Sequence, residues 1–212
     1  PIATSAVLEM ANYYFMDQKW DKAIPLFKHI DGTAMNKEQR MELKFKLGYS
    51  YFVRKRFREA RPHFQAVKGI PSDYAIPATY YYGMTAFYEG RYSEAITAFK
   101  RVESTKKYRP HVPYYITQIY FAQGKYDEVI DYGITKTKDR TLKKRAEINQ
   151  LVGQAFFEKG DFTAALPYLE FAAENSNKMR KEDFYLLGYV QHQAGKYDRA
   201  AKNLEQLNGI NS

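Results

Sequence analysis

Residues 82–99 read YGMTAFYEGRYSEAITAF, two short amphipathic segments hinged at Gly90. A helix that buries one face repeats apolar residues every three or four positions; Ala95, Ile96 and Phe99 do so in the second segment. Two helices cross closely only where small side chains meet, and Gly83 and Ala95 supply them, with Phe99 one turn on as the large residue that fills the space. The stretch therefore predicts an antiparallel helix pair.

The pattern recurs along the chain. With Ala95 as pivot, equivalent positions fall at Ala23, Ala60, Val129, Ala165 and Ala200, at intervals of 37, 35, 34, 36 and 35 residues. An aromatic stands three residues before every pivot: Trp20, Phe57, Tyr92, Tyr126, Phe162 and Tyr197. The turn glycine returns as Gly124, Gly160 and Gly195, while the first two copies place Gln18 and Lys55 there. Self-similarity at a period of about 35 residues is the mark of a repeat array. Six copies fit, at about 4–36, 37–72, 73–108, 109–140, 141–177 and 178–212, and one array over residues 1–212 is expected.

Helix pairs are expected near 3–17 with 20–31, 37–54 with 57–68, 74–89 with 92–104, 110–123 with 126–137, 141–159 with 162–174, and 180–194 with 197–208. Asn36 with Gln39 reads as a reciprocal helix cap, and Asn175-Ser176-Asn177 as the last connector. Pro25, Pro62 and Pro167 each follow a pivot by two residues and are expected to face solvent, since each removes a backbone donor. The fourth copy is irregular: Thr117 replaces the crossing glycine, Val129 the pivot alanine, and Gly133 the large residue. Curvature is expected to change there. In the last copy Gln191-His192 replaces an aromatic pair, as suits the end of an array.

With LGYSYF, YGMTAF, VGQAFF and LLGYVQ opening its helix pairs, the chain resembles the tetratricopeptide-repeat family over essentially its whole length. The resemblance implies an all-α, right-handed solenoid of six antiparallel helix pairs, with first helices lining a concave face that binds a protein or peptide. Carried onto this sequence, the family's groove offsets fall on Phe45, Tyr49 and Phe52, then Tyr80, Met84, Phe87 and Tyr88. They continue through Tyr114, Gln118 and Phe121, then Gln150, Gln154 and Phe157, and finish at Tyr185, Tyr189 and His192. Tyr and Met suit peptide contact because rings bury large area and Met adapts in shape. Phe52, Phe87, Phe121 and Phe157 equally suit packing of repeat on repeat. The lysine and asparagine clamp of the chaperone-docking branch is replaced here by Phe45 with Tyr49 and Tyr80 with Met84.

Composition narrows the function classes. Without cysteine there is no disulfide or thiolate chemistry. His29, His63, His111 and His192 fall in four different repeats, with no metal or acid–base spacing. No cofactor, no metal and no enzymatic activity are expected. No apolar run is long enough for a membrane span. The chain opens at Pro1 with neither Met nor leader and reads as an excised or processed piece. That opening is similar to repeat segments of bacterial envelope lipoproteins, which implies a periplasmic or envelope location; the same words also occur in cytosolic arrays.

A net charge of +9 favours acidic partners. The basic residues cluster at Arg54–Arg61 and Lys136–Arg145, which reads either as solvated surface or as a nucleic-acid-binding array with salt-sensitive affinity. The leading expectation is a non-enzymatic scaffold for a protein partner. The rivals are that nucleic-acid binder and an assembly module of a longer envelope protein, self-associating through its end repeats.

Overall fold

The structure, a computed structural model, describes residues 2–176 and 178–209, with side chains described within 5–207. Pro1 and Asn177, on which the expected start and last connector partly rest, lie outside the described residues.

Backbone packing divides the chain into two compact units, Pro1–Ser104 and Thr105–Ser212. The first holds α1 (Ile2–Met16), α2 (Trp20–His29), α3 (Lys37–Val53), α4 (Phe57–Val67), α5 (Ala75–Tyr88) and α6 (Tyr92–Val102). The second holds α7 (Val112–Ala122), α8 (Tyr126–Thr137), α9 (Arg145–Glu158), α10 (Phe162–Asn175), α11 (Lys181–Gln193) and α12 (Tyr197–Gly209). All regular structure among the described residues is helical, and within each unit every helix packs on its sequence neighbours. The all-α solenoid class expected from the repeat pattern is what both units show.

The pairing follows from side-chain size. A Cβ added at Gly83 would lie 2.9 Å from the Phe99 ring, one at Gly48 2.9 Å from His63 Cβ, one at Gly153 2.7 Å from Leu169, and one at Gly188 2.7 Å from Leu204. In the first pair the small residues Ala11 and Ala23 are both fully buried. The irregular fourth pair solves the problem differently. Thr117 is fully buried, and its hydroxyl donates to the Pro113 carbonyl at 2.8 Å, so no polar group is stranded. At Gly133 an added Cβ would sit 2.4 Å from Val152 Cγ2, so the space left by the missing large residue is occupied from α9.

The reversals are built alike. After each first helix one residue adopts positive φ: Gln18 and Lys55 at 57°, then Gly90, Gly124, Gly160 and Gly195 between 68° and 78°. Its amide and the next one donate back into the last turn, as in Gly90 N to Phe87 O at 3.1 Å and Arg91 N to Ala86 O at 2.8 Å. This closes otherwise orphaned carbonyls. The Asn36–Gln39 cap forms reciprocally, both bonds at 2.9 Å. Pro25, Pro62 and Pro167 are exposed inside their helices, so the carbonyls they leave free meet water.

Candidate functional site

In the first unit the groove-offset residues interlock. Phe45 and Tyr49, half-buried on α3, stack at 6.1 Å. Phe45 also meets Phe64 at 5.9 Å and Tyr74 at 5.3 Å; Tyr49 meets Tyr81 edge-on at 5.0 Å and Trp20 at 5.7 Å. Tyr80 is half-buried, 5.2 Å from Tyr81 and 6.2 Å from Phe99, and Met84 is only 5% exposed. Tyr88 is 51% exposed and lies flat on Phe57 at 4.7 Å. Each such ring pair adds about 0.5–1.5 kcal/mol beyond its buried area, so this face is held shut by its own aromatics.

The second unit differs. Here α7, α9 and the start of α11 enclose a cleft of about 400 Å³. Tyr114, Gln118 and Phe121 line it from α7, Gln150 and Gln154 from α9, Met179 and Arg180 from the connection into α11, and Asp183 from the first turn of α11. The helical offsets bring Tyr114 and Gln118 together on one wall because they are four residues apart, one above the other. Tyr185 and Tyr189 lie outside this lining: Tyr185 is 49% exposed, and Tyr189 packs on Phe157 at 5.5 Å and Phe162 at 5.3 Å.

One polar network fixes the cleft's far wall. Asp183 is 7% exposed and accepts from the Arg180 backbone at 2.9 Å, from the Arg180 guanidinium at 3.2 and 3.1 Å, and from Gln150 Nε2 at 3.1 Å. A carboxylate this buried needs such pairing, since an isolated charge there would be strongly destabilising. Gln118 and Gln154, in contrast, make no hydrogen bond among the described residues. On the near wall the Lys144 ammonium lies 4.5 Å from the Tyr114 ring centre and 3.4 Å from Glu147.

The field around the helix starts is positive. His111 is held below its usual pKa by burial first and then by repulsion from Lys143 and Lys144. Asp139 is lowered to about 2 by the hydroxyl and amide of Thr141, with Arg109, 2.9 Å away, adding to the effect. The offsets included Gln150 but not its partners Arg180 and Asp183; the signal for those was an acid three residues after Arg180, where a helix-start carboxylate reaches back to free amides.

Among the described residues, no helix is long and apolar enough to cross a membrane. A tetratricopeptide-repeat family model matches residues 153–207. Among solved structures, the C-terminal part of a TPR repeat-containing protein from Cytophaga hutchinsonii is similar at TM-score 0.72 and 15% identity, over 94% of this chain and 77% of that one. PilF of Pseudomonas aeruginosa is similar at TM-score 0.69 and 14% identity, over 99% and 92%. MamA of Desulfovibrio magneticus is similar at TM-score 0.63 and 14% identity, over 84% and 99%. At such identities the likeness concerns the fold alone. No curated protein sequence matches the chain. Residues 153–207 match the tetratricopeptide-repeat model directly, and the remaining helix pairs repeat the construction of that stretch.

Proposed function

We propose that this chain is a non-enzymatic interaction scaffold, and that the cleft of its second unit holds an extended segment of a protein partner. Folds of this kind generally mediate protein–protein contact. The observation that carries the finer reading is the pair of unengaged amides, Gln118 and Gln154, set beside Tyr114 and Phe121. Every residue of an extended peptide brings one donor and one acceptor that must be satisfied, and a side-chain amide offers both. The rings beside them supply apolar surface. A cleft of about 400 Å³ lies within the range of about 300–1,000 Å³ usual for ligand pockets. In the first unit Phe45 and Tyr49 stack on each other, and Tyr49 and Tyr80 both meet Tyr81, which leaves these rings fewer free faces.

The test is selection of peptides from a degenerate library on the immobilised full chain, followed by titration against Gln118→Ala with Gln154→Ala. Two lost hydrogen bonds cost about 1–3 kcal/mol, which weakens Kd by roughly five- to 150-fold. Tyr49→Ala with Tyr80→Ala should leave those peptides bound. Equal binding by the amide double variant, or no peptide retained at all, would remove the cleft from the account.

A further inference from the structure

We propose that the segment held in this cleft is acidic, its carboxylates lying along the edge where α7, α9 and α11 begin. This deepens the peptide reading and rests on it. The charge of the second unit is sorted by position. Residues 105–114, 136–147 and 178–183 together carry twelve Lys and Arg against four Asp and Glu, whereas the rest of residues 105–212 carries five against nine. The first two of these stretches meet: Lys143 N donates to Pro110 O at 3.0 Å, Arg109 pairs with Asp139 at 2.9 Å, and Lys144 covers Tyr114. They also border the cleft, whose lining includes Glu147, Lys178, Arg180 and Asp183.

The helix dipole accounts for Lys136 and Lys138, which close α8, but not for the basic residues at the helix starts. A helix start carries partial positive charge and favours acids, so Lys143, Lys144 and Arg145 opening α9, and Lys178, Arg180 and Lys181 opening α11, stand at the end that repels them. Nor do local acids neutralise the edge. Three of the four are engaged: Asp139 by Arg109 and Thr141, Glu147 by Lys144, and Asp183 by Arg180 and Gln150. Lys138, Arg140, Lys143 and Lys178 form no ion pair among the described residues. Burial is the main cause of the lowered His111 pKa, and repulsion from Lys143 and Lys144 adds to it in the same direction.

A peptide fits this better than a nucleic acid. Base stacking needs an open aromatic face, and one face of Tyr114 is taken by Lys144 while Tyr115 stands edge-to-ring at 5.4 Å. The unengaged amides match a peptide backbone. The sorted charge also gives direction, because carboxylates are drawn to the helix-start edge and repelled by the acidic remainder.

The experiment compares three degenerate peptide libraries of equal apolar content, with Asp and Glu, Asn and Gln, or Lys and Arg at the polar positions, together with poly-U RNA, on the full chain. The acidic library should be retained about tenfold better than the neutral one in low salt, and the advantage should shrink near 1 M salt, where screening acts within about 3 Å. Lys143→Gln with Lys178→Gln should abolish that advantage. Lys125→Gln with Lys202→Gln, the same change in net charge away from the edge, should keep it. Equal retention of acidic and neutral libraries overturns the charge assignment and leaves the peptide reading standing. Retention of no library overturns both. Binding of poly-U alone, sensitive to Lys143 and Lys178, assigns the edge to nucleic acid instead.

Discussion

The two units obey one repeat rule and differ in the residue four positions after the pivot. In the first unit it is Phe27, Phe64 and Phe99, each no more than 2% exposed; in the second it is Gly133, Leu169 and Leu204. A phenylalanine there reaches past the small residue of the first helix and meets the rings beyond. Phe27 lies 6.1 Å from Phe15, Phe64 lies 5.8 Å from Tyr81, and Phe99 lies 6.2 Å from Tyr80. Core and first-helix face become one aromatic cluster. The shorter residues of the second unit coincide with a face that carries amides and a cleft. We propose that the size of this buried wedge governs whether the first-helix face is filled from beneath.

The strongest way to break this comparison is to remove a wedge. Phe64 is fully buried under three rings of the face, so Phe64→Ala should cost about 3–5 kcal/mol. Chemical denaturation of the full chain reads it, and hydrogen exchange should place the loss in α3–α5. A cost near that of an exposed substitution would show that the wedge does not support the face.

The reverse exchange should have a smaller effect. Leu169 is 1% exposed, with side-chain atoms 2.7 Å from where a Cβ on Gly153 would stand. Leu169→Phe gives the second unit a wedge of the first unit's kind and should overpack it by about 1–3 kcal/mol. It should also weaken peptide retention, since Ala172, a turn further along α10, lines the cleft. Full stability with unchanged retention would mean that the second unit has room for a ring, and that wedge size is not what keeps the cleft open.

The fold was legible in the sequence because its determinants are local and repeated. Gly83 against Phe99, the Asn36–Gln39 cap and the exposed prolines all act within one helix pair. Helix starts were less legible. A helix from about 141 was expected, yet α9 begins at Arg145. Asp139 accepts from both the amide and the hydroxyl of Thr141, at 2.9 and 2.6 Å, and so holds a turn that competes with the helix. For the site, the offsets told which residues share a face and not whether space remains above it. Phe45 and Tyr114 occupy equivalent offsets, but one is enclosed by four rings and the other lines a cleft. That outcome depends on side chains from other helices, which no single-helix periodicity contains.

The smallest effects belong to the reversals, where the units also differ. The first unit uses Gln18 and Lys55 at positive φ in its first two turns, while every such turn of the second unit uses glycine. A side chain in this conformation meets its own carbonyl, a strain of about 1 kcal/mol, part of which glycine forfeits through greater freedom in the unfolded chain. Lys55→Gly should therefore stabilise by about 0.5–1 kcal/mol, read as a higher denaturation midpoint at unchanged slope. Gly160→Ala should do the opposite, by about 1 kcal/mol. Nothing lies within 4 Å of an added Cβ at Gly160, so any loss there comes from backbone conformation and not from crowding. A neutral Gly160→Ala beside a stabilising Lys55→Gly would locate the strain in the lysine side chain, and the two turns would then differ in chemistry and not in geometry.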